Sequence, residues 1–220
     1  MKLTILLSDG FTALDIVGGY EVLANVPGMQ VEFTARDKGL VWADTRRLAL
    51  HAWRSFADVD KTDILYVPGG PGVGPGLDDT ALISTIARLH AHATWTVGIC
   101  NGVEWLGKAG VIDGLEVTTN WAVRDKVAAY GAKVNRARFH RDGKVVTGAG
   151  VSASIDAGLF LAGLIAGEDL ARTLQLGIEY YPAPPFGNGT PDDASPQAQA
   201  VVRHFEATGT QRIRALKPAA

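Results

Sequence analysis

The sequence has one cysteine among its 220 residues, little net charge and no long run of apolar residues. One cysteine permits no disulfide within the chain and no thiolate metal cluster, which fits a reducing compartment. No stretch reaches the roughly 18 apolar residues of a membrane span. The apolar start stops at Ser8-Asp9-Gly10, which is too short for a secretory signal. We therefore predict a cytoplasmic protein without a membrane partner.

Basic and histidine side chains are present but scattered. The formal net charge is −2, and the densest basic cluster alternates along a predicted strand at Arg136, Arg138, His140 and Arg141. This spacing is typical of the solvent-exposed face of a hairpin rather than of a surface that binds phosphate groups. His90 and His92 would not face one ligand on a helix. We predict no nucleic-acid partner, no metal and no cofactor.

Short apolar runs alternate with segments of helical periodicity along the chain, which is typical of parallel strands joined by crossover helices. Strands are predicted at 2–7, 31–35, 63–67 and 94–99, hairpins at 41–42 with 48–51 and at 133–140 with 144–147, and helices at 12–25, 79–92, 101–109, 122–130, 153–166 and 168–180. The sequence therefore predicts one α/β domain over residues 1–220. It is flavodoxin-like, with a mostly parallel central sheet, helices on both faces and a frayed tail at about 206–220.

The cysteine lies in Gly98-Ile99-Cys100-Asn101-Gly102, between an apolar strand and a helix. Small residues around a nucleophile at such a junction allow a tight, strained turn that exposes it at the carboxyl end of the sheet. The start of a helix also favours thiolate over thiol. A lone cysteine in another context would more often be a small buried hydrophobe. Here the pattern predicts a nucleophile with a lowered pKa.

Several motifs together resemble the DJ-1/PfpI superfamily, and within it the isocyanide (isonitrile) hydratases. They are Asp9-Gly10-Phe11, Leu14-Asp15-Ile16-Val17-Gly18-Gly19, Val67-Pro68-Gly69-Gly70, the Cys100 elbow, Thr118-Thr119-Asn120-Trp121, Val151-Ser152-Ala153-Ser154-Ile155-Asp156 and Glu179-Tyr180-Tyr181-Pro182-Ala183-Pro184-Pro185-Phe186. The resemblance implies a DJ-1-type sandwich and a homodimer. It also implies a cofactor-free enzyme that acts on a small molecule.

The resemblance assigns roles to individual residues. It implies Cys100 as the nucleophile and Asp15 as the acid/base. Backbone amides of Gly70 and Asn101 are expected to point at the reacting group, and Asn120 and Trp121 to contact substrate. Three aromatic side chains are candidates for the wall of an apolar pocket, although isolated aromatics more often lie in the core. They are Trp121, Tyr181 and Phe186.

Two positions depart from the hydratase pattern, and they bear on the alternatives. Asn101 stands where these hydratases usually have threonine, and Asn120 where they usually have histidine. PfpI-type peptidases have a histidine directly after the cysteine, and because Asn101 cannot act as a base, a peptidase is disfavoured. We predict hydration of an isocyanide to a formamide through a Cys100 adduct.

Two alternatives stay open. One is a glyoxalase- or deglycase-like enzyme acting on α-oxoaldehydes, and the other is a non-enzymatic cysteine redox sensor. Regulators in this superfamily have a longer chain with a C-terminal helix-turn-helix, and because about 34 residues follow Phe186 we do not expect that module here.

Overall fold

The centre of the computed structural model, which describes residues 1–216, is a seven-stranded sheet in the order β10-β11-β7-β6-β1-β2-β5. The strands are β1 (Lys2–Leu6), β2 (Gln30–Ala35), β3 (Gly39–Trp42), β4 (Ala49–Ala52), β5 (Arg54–Ser55), β6 (Ile64–Val67), β7 (Trp95–Ile99), β8 (Glu116–Val117), β9 (Lys133–Val134), β10 (Phe139–Asp142) and β11 (Val145–Gly148). All neighbours in this sheet are parallel except β10 and β11. The predicted mostly parallel α/β fold is confirmed.

Helices cover both faces of the sheet. They are α1 (Ala13–Leu23), α2 (Val73–Gly76), α3 (Thr80–His92), α4 (Val103–Lys108), α5 (Arg124–Ala128), α6 (Ala153–Ala166), α7 (Glu168–Gly177) and α8 (Pro196–Leu216). One core layer lies between the sheet and the packed pair α1 and α6, and the other lies under α3 and α4. Strand β6 is buried along its whole length, as its near-continuous apolar sequence requires for a strand covered on both faces.

The parallel strands bring four loops to one edge of the sheet. The loops that follow β1, β6, β7 and β11 all leave the carboxyl ends of their strands, and the first two are hydrogen-bonded to each other. Thr12 N–H donates to the Gly69 carbonyl at 2.9 Å, and Gly72 N–H donates to the Gly10 carbonyl at 3.0 Å. In open α/β sheets, ligands bind at this edge.

The second predicted hairpin is shorter than expected. Only Phe139–Asp142 pairs with Val145–Gly148, whereas Lys133–Val134 forms a separate parallel pair with Glu116–Val117. Asn135 explains the break, because its Oδ1 accepts a hydrogen bond from Ala137 N–H at 3.0 Å and turns the chain locally. The predicted helix over 168–180 likewise ends early, at Gly177.

The tail differs most from expectation. The prediction of fraying from about residue 206 is wrong as far as Leu216, because Pro196–Leu216 forms α8, and residues 217–220 lie outside the described part. Tertiary packing holds this helix, since Ile213 is fully buried and α8 lies against α2. Within residues 1–216, no helix is both long and apolar enough to cross a membrane.

Candidate active site

Cys100 occupies the turn between β7 and α4, as predicted. Its φ is +58°, in the left-handed region that residues with a side chain seldom adopt. A short 3₁₀ turn over Cys100–Gly102 then leads into α4, and Thr119 Oγ donates to the Cys100 carbonyl at 2.7 Å. Strain held at such a turn by the surrounding structure is typical of functional sites.

The thiol itself is enclosed, with only 5% of Cys100 exposed. Burial raises the pKa of the Cys100 thiol well above its ordinary value, and the nearby Asp15 raises it further. The Asn101 backbone N–H and the Asn120 side chain lower the pKa, but by less. The predicted lowering of this pKa is therefore wrong, because loss of hydration outweighs the favourable donors.

Asp15 lies in the first turn of α1 and is completely buried. Its Oδ2 accepts a hydrogen bond from Gly69 N–H at 2.9 Å, and Oδ1 has no partner among residues 1–216. Burial raises the pKa of Asp15 to about 8, and the hydrogen bond from Gly69 N–H and the nearby Cys100 side chain only partly offset this. At neutral pH the carboxyl therefore holds a proton beside the thiol.

Asn101 makes a contact that sequence reasoning did not anticipate. Its Oδ1 accepts from Gly70 N–H at 2.7 Å, and its Nδ2 donates to the Gly70 carbonyl at 3.0 Å. The Gly70 amide, expected to face the reacting group, is thus occupied by the Asn101 side chain. This clamp holds Gly70 at a φ of +130°, in a space where an added Cβ would overlap the backbone near Thr12.

Asn120 is in contact with the sulfur of Cys100. Its Nδ2 donates to Cys100 Sγ at 3.5 Å, and its Oδ1 accepts from Ala122 N–H at 2.8 Å. The second bond fixes which end of the amide points at the sulfur. Trp121, the next residue, lies under Arg203, whose guanidinium carbon is 4.5 Å from the ring centroid.

A cavity of about 280 Å³ opens onto the thiol. It is lined by Thr12, Asp44, Gly70, Pro71, Cys100, Asn101, Asn120, Val151, Phe205, Glu206 and Thr210. Trp121 is absent from this lining, and Tyr181 and Phe186 are 77% and 81% exposed, so the predicted aromatic walls are wrong. Pro71, Val151 and Phe205 supply the apolar wall instead.

Sequence reasoning missed the wall residues outside the motifs, namely Thr12, Asp44, Phe205, Glu206 and Thr210. Helix α8 brings the last three to the cavity, and recognising this helix in the tail was the signal that could have found them.

A larger cavity, of about 490 Å³, lies between α6 and α7. Cys100 does not line this larger cavity, so the smaller one is the candidate active site. Among residues 1–216, no three histidine, cysteine, aspartate or glutamate side chains are grouped so that they could hold a metal ion.

Known proteins share both the sequence and the fold. An isonitrile hydratase of Pseudomonas putida is 39% identical over 194 residues, which are 88% of this chain and 85% of that protein. The crystal structure of a ThiJ/PfpI family protein from Pseudomonas syringae superposes with a TM-score of 0.89 at 29% identity, covering 98% of this chain and 89% of the other.

A more distant relative has the same fold. DJ-1beta of Drosophila melanogaster superposes with a TM-score of 0.75 at 18% identity, covering 82% of this chain and 98% of the other. The model of the DJ-1/PfpI family matches residues 1–162, which include β1 to β11, Asp15 and Cys100. By its sequence, its sheet and its cysteine elbow, this chain belongs to the DJ-1/PfpI family.

Proposed function

We propose that this protein hydrates an isonitrile to an N-substituted formamide by covalent catalysis at Cys100. The observation that carries the proposal is the buried Cys100 thiol, which lies close to the buried Asp15 carboxyl and borders a cavity of about 280 Å³. The 39% identity to an isonitrile hydratase supports the same reaction.

The terminal carbon of an isonitrile must gain both a proton and a nucleophile, and Asp15 and Cys100 together can supply both. Asp15 gives its proton to this carbon while the Cys100 sulfur bonds to it, and the thiol proton passes to Asp15. The product is a thioimidate, R–N=CH–S–Cys100. Water then adds to the same carbon and the nitrogen takes a proton. The C–S bond breaks, which releases R–NH–CHO and restores the thiol.

Donors around the sulfur assist the transfer of charge. As the thiol proton leaves, negative charge develops on a sulfur that faces the Asn101 N–H and Asn120 Nδ2. Donors held in place before the reaction stabilise such charge without reorganising. This role needs no imidazole at position 120, so the departure from the hydratase pattern is compatible with the reaction.

Burial argues against the redox-sensor alternative. Sensor cysteines are accessible and have a low pKa, whereas Cys100 is 5% exposed and its thiol pKa is raised. A thiol of this kind reacts with a ligand that the cavity admits rather than with dilute oxidant.

The direct test is formamide production from a simple aromatic isonitrile, with the product identified by mass spectrometry. We expect turnover by the wild type, none by Cys100→Ala, and a loss of at least about a hundred-fold in Asp15→Asn, the range of general acid–base catalysis. Circular dichroism checks that both variants fold. Turnover by Cys100→Ala would exclude covalent catalysis, and lactate formation from methylglyoxal without any formamide would favour the glyoxalase alternative.

A further inference from the structure

The wall of the Cys100 cavity is charged, and both of its charges have the same sign. Asp44 and Glu206 contribute carboxylates, and no lysine, arginine or histidine lines the cavity among residues 1–216. Asp44 follows the hairpin strand β3, whereas Glu206 lies on α8, beyond the residues that the family model matches.

The two carboxylates differ in what holds them. Asp44 Oδ1 accepts from Thr45 N–H at 2.7 Å, and its Oδ2 accepts from Thr12 Oγ at 3.2 Å. Glu206 has no hydrogen-bond or ion-pair partner in the described part of the chain. Its acceptor capacity is therefore available to a molecule in the cavity.

Two basic groups near Glu206 act on it without pairing with it. Arg203 donates to the Ala122 carbonyl at 3.3 Å and stacks over Trp121. Burial raises the pKa of Glu206, and the longer-range charges of Arg203 and Lys126 lower it by less. Glu206 itself affects the reacting centre, because its charge raises the pKa of the Cys100 thiol. A charge on a ligand beside Cys100 therefore interacts with the charge on Glu206.

We propose that Glu206, with Asp44, makes this cavity select substrates that carry a positive charge a few bonds from the reacting carbon. The proposal rests on the proposed function for the identity of the reacting group, which makes the favoured substrate an isonitrile with an ammonium substituent. The isonitrile end reaches Cys100, the connecting chain lies against Pro71 and Val151, and the cation pairs with Glu206.

The first test measures whether the cavity favours a cationic over an anionic reagent, and it uses no isonitrile. Cys100 is the only cysteine, so methanethiosulfonates of similar size that carry a trimethylammonium or a sulfonate group report on this one thiol. The sulfur attacks the reagent, a disulfide forms and methanesulfinate leaves. Relative to a small free thiol, we expect Cys100 to favour the cationic reagent by about ten-fold or more at low salt.

The variant Glu206→Gln should reduce this preference by about ten-fold, and high salt should weaken it in the wild type. The matched control is Glu168→Gln, which removes an equal charge from the exposed face of α7 and should leave the preference unchanged. Equal rates for the two reagents in the wild type, or an unchanged ratio in Glu206→Gln, would overturn the proposal.

The second test compares kcat/KM for three alkyl isonitriles of one length that end in a trimethylammonium, a methyl or a sulfonate group. We expect the cationic compound to be hydrated best, and Glu206→Gln to lose this advantage while still hydrating the neutral one. If all three are hydrated equally, the hydratase stands and the charge selection fails. If none is hydrated but the ratio of the two methanethiosulfonate rates in the first test depends on Glu206, the charge selection stands and the hydratase proposal fails.

Discussion

Asp15 is buried in an environment that opposes its ionisation. Its pKa is about 8 in the folded protein against an ordinary value of 3.8. When the pH lies between these two pKa values, Asp15 has lost its proton in the unfolded chain but still holds it in the folded protein. The folded state thus binds more protons, so its stability falls as the pH rises through this window. This loss of stability is absent below about pH 4 and reaches a constant value above about pH 8.

We expect Asp15→Asn to remove this pH dependence. Between about pH 5 and about pH 8, the unfolding free energy of the wild type should fall relative to that of the variant by about 1.4 kcal/mol per pH unit. Urea denaturation at several pH values measures the difference. Asp169→Asn, on the exposed face of α7, serves as the control and should follow the wild type. Parallel curves for wild type and Asp15→Asn would show that Asp15 ionises normally.

The backbone of Cys100 supports a second prediction at the residue scale. At its φ of +58°, a residue with a Cβ atom makes the folded protein less stable than glycine would, by about 1 kcal/mol. Cys100→Gly should therefore be more stable than Cys100→Ala by about this amount in urea denaturation. In an ordinary helix the order is reversed, so Ala200→Gly in α8 should lower stability. If Cys100→Ala is the more stable of the two, the turn carries no such strain.

At the scale of elements, α8 is held over the cavity by small residues. A Cβ on Gly209 would stand 3.0 Å from Pro71 Cγ, so the helix and the loop after β6 are in contact at this point. We expect Gly209→Leu to lift α8 and to make Cys100 react several times faster with a neutral alkylating reagent. The control Ala207→Leu adds the same side chain on the exposed face of α8 and should leave the rate unchanged.

The elements that sequence reasoning found and missed differ in their source of stability. Strands β6 and β7 and helix α3 carry their own signals, namely continuous apolar runs and the Asp79 side chain, which accepts from Leu82 N–H at 2.9 Å as an N-cap. Helix α8 buries only Gly209 and Ile213, so its buried face is small and its placement depends on the loops it covers.

The same distinction applies to the site. The G-x-C-x-G pattern is local, and it located Cys100 correctly. The Asn101 clamp on Gly70 joins residues 31 positions apart, and it forms only because β6 and β7 are neighbours in the sheet. The thiol pKa was mispredicted for a similar reason, since burial by distant segments outweighs the local environment of the turn.

At the scale of the whole molecule, the homodimer that the family resemblance implies stays a prediction. Light scattering coupled to size-exclusion chromatography should give twice the mass of one chain, unchanged on dilution across the micromolar range. A mass equal to one chain at every concentration would show that the complete site is built within a single protomer.

The position of α8 also has a consequence for how such an enzyme changes over generations. Cys100, Asp15 and the sheet that aligns them all come from the first 148 residues, whereas part of the cavity wall comes from a helix that begins at Pro196. Substitutions in this helix can change which molecules enter the cavity while Cys100 and Asp15 stay in place. Part of the cavity wall is thus encoded far along the chain from the cysteine elbow, so the range of molecules that it admits can change through the tail without a change in the elbow itself.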